Sequence, residues 1–417
     1  MRLYRIFISL IVKMKRFIKR KEYKEFNVLL NKNEIEHARE IGEFLHRYNS
    51  KDIPHGKKMA EILTSAGKSN LATSIVRSGL PTKVNCIIDS EVKNINALLE
   101  LDYKLVMSED VFGNGLSNLR MIEHRCTSNN ITNLYLTKIA WSHSIYKEIY
   151  FYESIREQHP IFKDFTPNFI RTIKIKSKNI HLLTIEKVQG TRASKEQIAH
   201  IIDTHKKITS ISYKEALLFC KYSEFESVVK RNMLWFLRKR IAMKQTFAFI
   251  HKKTANTFIF RKVLYQMKRC SYSNKSIGSI KRLRNLIFNT EFYKKIDPDI
   301  HYSLIHGDYH VSNIIFAPED NHCNIIDWNS YGVGPVSLDM TYIVRRFKYT
   351  YKEIDEIYLS KSDNLDDVGK ILFIYMLIIE WFNNLDQKTF DNNYENNLLP
   401  AINHAELLMG RKNLASN

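Results

Sequence analysis

The chain lacks any run of the roughly 20 apolar residues needed to cross a bilayer, and no small-residue cleavage site follows its short N-terminal apolar run, so neither a membrane span nor a secretory leader is expected. Its five cysteines, Cys86, Cys126, Cys220, Cys270 and Cys323, are odd in number and scattered, without CxxC or CxH spacing. That pattern suggests neither a disulfide framework nor a zinc site and fits a reducing, cytoplasmic location. Internal repeats and low-complexity tracts are absent. So are zinc-finger, RNA-recognition and helix-turn-helix signatures, which puts nucleic acid last among the partners of a chain whose formal charge is +20.

What is present is ample core material: 417 residues, 44% hydrophobic and 12% aromatic, enough for two or three domains. The opening MRLYRIFISLIVKMKRFIKRKEY sets Leu3, Phe7, Leu10, Met14, Phe17 and Ile18 near helical spacing among lysines and arginines. Residues 1–25 thus read either as a basic amphipathic helix on the inner face of an anionic membrane or as a helix packed on the next domain. Helical periodicity continues to about residue 100, giving a helical N-terminal extension over residues 1–100 with no assignable chemistry.

From Leu101 the pattern changes. KLVMSE, NLRMIEH, NLYLTKIA, FIRTIKI and HLLTIEKV are short β-branched and aromatic runs separated by Gly, Asn and Ser clusters, which predicts a small antiparallel sheet over residues 101–189. One helix, SHSIYKEIYFYESIREQ, interrupts it, with Ser142 or Ser144 as N-cap. Residues 190–417 read as mainly helical, apart from the apolar runs NIIF and CNIID on either side of a turn-like PEDNH. The fold class is α+β, a β-rich lobe followed by a helical one.

The most informative stretch is LIHGDYHVSNIIFAPEDNHCNIIDW. Phosphoryl transfer needs one carboxylate to orient a hydroxyl and accept its proton, and an oxygen clamp for Mg²⁺. Asp308 suits the first task. Asn313 and Asp327 suit the second if the hairpin between them folds back beside the loop. This stretch resembles the aminoglycoside phosphotransferase and choline kinase family, whose catalytic loop reads HGDxHxxN and whose metal segment reads IDW or IDF. The resemblance implies a two-lobed protein-kinase-like fold, Asp308 as catalytic base, Asn313 and Asp327 as Mg²⁺ ligands, His306 as an anchor of the loop, and His310 near the transferred phosphate. GPVSLDM is similar to the family's GPxxxDL segment and implies that Asp339 braces the loop.

By the same resemblance the β-rich lobe holds ATP. Lys138, on the third strand, is the candidate for the α- and β-phosphates, with Glu148 as its helix partner and Glu153 as a fallback. IEKVQG resembles the hinge, so the backbone near Glu186 and Val188 would face adenine. Gly113 and Gly115 in VFGNGLSN either let amides approach phosphate or make an ordinary hairpin turn.

Residues 227–290 contain sixteen lysines and arginines and no aspartate or glutamate. The resemblance implies that this insertion between hinge and catalytic loop helps form the acceptor site, which family members acting on cationic acceptors line with acid, whereas the segment here is basic. The expected enzyme is therefore an ATP- and Mg²⁺-dependent phosphotransferase acting on a small molecule or glycan that is anionic or surface-associated. An antibiotic or amino-alcohol kinase with a cationic acceptor is the alternative, and a non-catalytic pseudokinase scaffold the alternative of another class. A protein substrate is disfavoured, since neither a DFG nor an APE signature follows Asp327.

Overall fold

A computed structural model describes residues 82–111, 118–128, 131–220, 253–269, 271–319, 321–363, 365–384 and 394–410. The expected helix at residues 1–25, the extension as far as residue 81, and the Gly113 and Gly115 turn lie outside them. The described residues form two compact units, one of residues 82–149 with 168–187, the other of residues 150–167 with 188–410.

In the first unit all five expected strands form: β1 (Lys104–Asp110), β2 (Asn118–Ser128), β3 (Ile131–Trp141), β4 (Phe169–Ile175) and β5 (Ile180–Glu186). They make one antiparallel sheet in the order β1-β2-β3-β5-β4. Helix α1 (Thr82–Leu99) covers it, because Val84, Ile88, Val92, Ile95 and Leu99 recur at helical spacing and bury one face against Leu119, Ile122, Cys126, Ile139 and Leu182. The sequence reading leaves this helix in the extension ending at residue 100. Periodicity reveals an apolar face but not the surface that face covers, and here it covers the sheet.

Two polar clamps fix the helix. The buried Arg120 guanidinium donates to Asp110 at 2.9 and 3.1 Å and to Asp89 of α1 at 2.9 Å. His124 bridges Asn96 of α1 at 2.8 Å and Thr137 of β3 at 2.8 Å, and burial pushes its pKa down to about 4, so the ring is neutral.

Helix α2 (Ser142–Tyr150) follows β3 and runs on through a π-helical turn, Phe151–Ile155, to Arg156–Gln158. Neither candidate serine sits at the N-cap. Ser142 is already helical and its Oγ meets His181 Nδ1 at 2.8 Å, while Ser144 Oγ donates back to the Trp141 carbonyl at 2.9 Å.

The second unit is mainly helical, as expected: α3 (Ile198–Thr209), α4 (Tyr213–Phe219), α5 (Lys253–Arg269), α6 (Asn274–Asn289), α7 (Leu338–Arg346), α8 (Asp367–Asn384) and α9 (Leu399–Leu408). NIIF and CNIID supply β8 (Ile314–Ala317) and β9 (His322–Ile325), paired antiparallel with Ile314 opposite Ile325. Three strands are not apparent in the sequence: β6 (Thr191–Arg192), which pairs with β8, and β7 (Tyr302–Ile305), which pairs with β10 (Gly332–Pro335). They are too short to show a period. Ile371–Ile379 of α8 is buried throughout and packs against α7 and α9. Among the described residues no helix is long and apolar enough to cross a membrane.

Replacing Arg120 with Ala strands two carboxylates, one of them nearly buried, and is expected to lower the unfolding free energy by about 3–5 kcal/mol. Val106→Ala, at an exposed position of β1, is expected to cost less than about 1 kcal/mol. Urea denaturation of the two variants checks the contrast.

Candidate active site

The site is built on the turn that follows β7. Strand residues Tyr302–Ile305 are fully buried between flanking elements, and the chain leaves them at His306 and reverses at Gly307. Gly307 has φ of 74°, and a Cβ there would lie 2.2 Å from the Ser330 carbonyl oxygen, so both conformation and space demand glycine. The buried Asp339, in the first turn of α7, accepts the His306 amide at 2.7 Å and the Gly307 amide at 2.9 Å. One carboxylate thus seats two successive peptide groups.

His306 is itself buried. Its Nδ1 accepts the Asp308 amide at 3.3 Å and its Nε2 donates to the Ile326 carbonyl at 3.1 Å, which fixes the neutral Nε2–H tautomer. Burial pushes its pKa down to about 4, against the pull of Asp308 and Asp327. The ring therefore ties the residue carrying the Asp308 carboxylate to the residue just before Asp327. Asp308 is half-buried, with His310 Nε2 3.5 Å from its Oδ2. His310 also caps the turn Val311–Asn313, its Nδ1 accepting the Ser312 amide at 3.2 Å.

Asn313 donates its side-chain N–H to the Asp308 carbonyl at 3.0 Å, and its own carbonyl accepts the Ile326 amide at 3.0 Å. That backbone bond extends the β8–β9 register by one step, so the hairpin does fold back and brings Asn313 beside the chain entering Asp327. Asp327 has φ of 64° and ψ of 61°, left-handed geometry in a non-glycine residue, and its Oδ1 lies 3.4 Å from Asn329 Nδ2. The Asn313 amide and the Asp327 carboxylate both offer oxygen donors, the type that suits Mg²⁺ completed by phosphate and water. The residues fit that ion.

In the first unit Lys138, in the C-terminal half of β3, meets Glu148 of α2 at 2.5 Å, with the carboxylate fully buried. Glu153 lies in the π-helical turn and is exposed, so the pairing selects Glu148 over the fallback. A lysine on the third strand held by a helix glutamate is the arrangement that kinase-like sites use for phosphates. At the end of β5 the Glu186 carboxylate accepts from Asn168 Nδ2 at 2.7 Å, and the Lys187 amide donates to the Leu134 carbonyl at 2.8 Å. The division between the two units falls between Lys187 and Val188, inside the segment read as a hinge.

Residues 280–359, which contain the loop, the β8–β9 hairpin and Asp339, match the model of the phosphotransferase enzyme family. Over this segment the chain resembles that family. It is an enzyme of the small-molecule phosphotransferase class. No curated protein matches it by sequence. Among solved structures it is similar to a spectinomycin phosphotransferase bound to ADP and spectinomycin, at 15% identity over 75% of this chain and 98% of that one, TM-score 0.38. A choline kinase from Streptococcus pneumoniae aligns at 14% identity over 77% and 99%, TM-score 0.38, and a type I macrolide 2'-phosphotransferase at 13% over 76% and 97%, TM-score 0.39.

The phosphotransferase carries supporting residues that the motif does not disclose. Trp328 is buried, donates Nε1–H to the Ile325 carbonyl at 3.1 Å, stacks on Phe151 at 3.9 Å and 4°, and meets the His306 ring edge-on at 4.7 Å. Tyr309 donates its hydroxyl to the Ile201 carbonyl of α3 at 2.8 Å. The signal for this aromatic bed was the Phe151–Tyr152 pair on the helix and the tryptophan after Asp327, but rings so far apart in sequence announce no partner.

Gly307→Ala is expected to disrupt the turn, lowering the melting temperature of the phosphotransferase and abolishing turnover, whereas Gly278→Ala, where a Cβ meets nothing, leaves both intact. A pH dependence follows from His306, His205 and His124, all held at about 4 mainly by burial. Between the ordinary imidazole value of 6.5 and about 4 the unfolded chain binds more protons than the folded one, so stability is complete above pH 6.5 and falls as pH drops toward 4. Urea midpoints across that window should decline toward acid, and His205→Asn should flatten the slope.

Proposed function

We propose that the phosphotransferase uses Mg·ATP to phosphorylate a hydroxyl on a small molecule or glycan that is anionic or surface-associated. The observation that carries this reading is the loop itself: Asp308 on a turn fixed by Asp339 and His306, with Asn313 and Asp327 at the adjoining hairpin end. Asp308 is the group that orients the acceptor hydroxyl and takes its proton. His310, beside the Asp308 carboxylate, is in reach of the same reacting atoms. Asn313 and Asp327 are the residues that hold Mg²⁺, which when bound neutralises charge on the phosphates. Lys138, oriented by Glu148, binds the α- and β-phosphates, and the backbone near Glu186 and Val188 receives adenine. Gly113 and Gly115 remain candidates for the phosphate-facing turn.

The acceptor class rests on charge. A stretch of chain that holds sixteen cations and no carboxylate between residues 227 and 290 repels a cationic acceptor and attracts an anionic one. A phosphorylated sugar, an acidic glycan or a lipid-linked intermediate has the matching chemistry.

Mg²⁺-dependent ATP turnover measured against phosphosugars, acidic glycans, aminoglycosides and choline tests both parts. Turnover with an anionic acceptor is expected, and Asp308→Asn is expected to lower kcat by roughly 10²–10⁴-fold. Asp327→Asn should raise the Mg²⁺ concentration needed for half-maximal rate. Turnover confined to cationic acceptors would overturn the acceptor class, and wild type as inert as Asp308→Asn while still binding ATP would overturn phosphotransfer itself.

A further inference from the structure

We propose that the exposed face of α5, with neighbouring cations of α6, is a docking surface for an anionic lipid bilayer. The inference does not need phosphotransfer itself, although it draws on cations of the same basic segment that carries the acceptor class. Helix α5 is seated by Phe260, Val263 and Met267, which are buried, with the Phe260 ring stacked on Tyr375 of α8 at 5.3 Å. That packing fixes which way the opposite face looks. Along that face Arg261, Tyr265, Lys268 and Arg269 follow one another at helical spacing and are all exposed, Tyr265 at 60%.

An ordinary solvated helix mixes charges of both signs. This one does not, and its neighbour shows why the asymmetry is more than composition. On α6, Arg282 pairs with Glu406 of α9 at 2.5 Å, and Lys275 lies 3.8 Å from Glu395. Among the described residues, carboxylates reach these two helices only from Glu395, in the turn Tyr394–Leu398, and from Glu406 of α9. Among the described residues none pairs with Arg261, Lys268, Arg269, Lys281 or Arg284.

A bilayer fits this surface better than other polyanions. A tyrosine in the middle of a cationic stripe suits the headgroup layer, where an amphipathic ring sits level with the phosphates and the long basic side chains reach around it. Nucleic acid would use the same charge, but no nucleic-acid-binding signature accompanies it. Each cation near an anionic leaflet strengthens partitioning about fivefold.

The test is co-sedimentation of the full chain, at physiological ionic strength, with vesicles of phosphatidylcholine alone or mixed with phosphatidylglycerol. Binding to the mixed vesicles only is expected. The triple variant Arg261→Gln, Lys268→Gln, Arg269→Gln should weaken it at least about tenfold. A control triple, Lys174→Gln, Lys176→Gln, Lys178→Gln, removes the same charge from exposed positions of β4 and its hairpin and should leave binding near that of the wild type. Three results would each overturn the proposal: no binding to mixed vesicles even at low salt, equal weakening by both triples, or displacement of the vesicles by a random single-stranded oligonucleotide that binds more tightly.

Discussion

A carboxylate with no exposed surface, that of Asp339, receives two consecutive backbone amides, and the rest of the helical unit's chemistry is arranged around that contact. Burying an aspartate is costly unless strong donors compensate, and peptide N–H groups aimed from a tight turn are such donors. The contact explains why the turn needs glycine at 307, since the second amide reaches the carboxylate only with the backbone in the left-handed region. It also leaves the His306 ring fixed in direction. From there the ring makes one bond forward to the Asp308 amide and one across to the Ile326 carbonyl, so a single anchored imidazole sets two loops.

The loop residues of this network were legible because they lie within a few positions of one another. His306, Gly307, Asp308, His310 and Asn313 lie on one turn, and a turn is local enough for sequence to encode it whole. The five strands of the first unit were legible for a different reason: alternation of β-branched residues over seven to eleven positions is a long signal. The resemblance favours Glu148, but the short link between Lys138 and that helix keeps Glu153 as a fallback until the Lys138–Glu148 contact is seen.

Other features were hidden because they depend on contacts far apart in the chain. Helix α1 looks like any amphipathic helix until the sheet it covers is known. Strands β6, β7 and β10 have two to four residues each and carry no period. The stack of Phe151 on Trp328 joins the π-helical turn Phe151–Ile155 to the segment after Asp327, and no rule of spacing links the two. The two units also interleave in sequence, residues 150–167 belonging with the helical one, which a linear reading of lobes does not anticipate.

The formal charge of +20 is distributed in a way that changes its meaning. Residues 227–290 contribute +16, so the remaining residues carry 48 basic and 44 acidic side chains, a balance of +4. The molecule is thus less a uniformly basic protein than a nearly neutral one with a strongly charged portion. In an external field such a body feels a torque as well as a pull. Near any polyanionic surface it is oriented before it is bound, and the portion presented first is the one that contains α5 and α6.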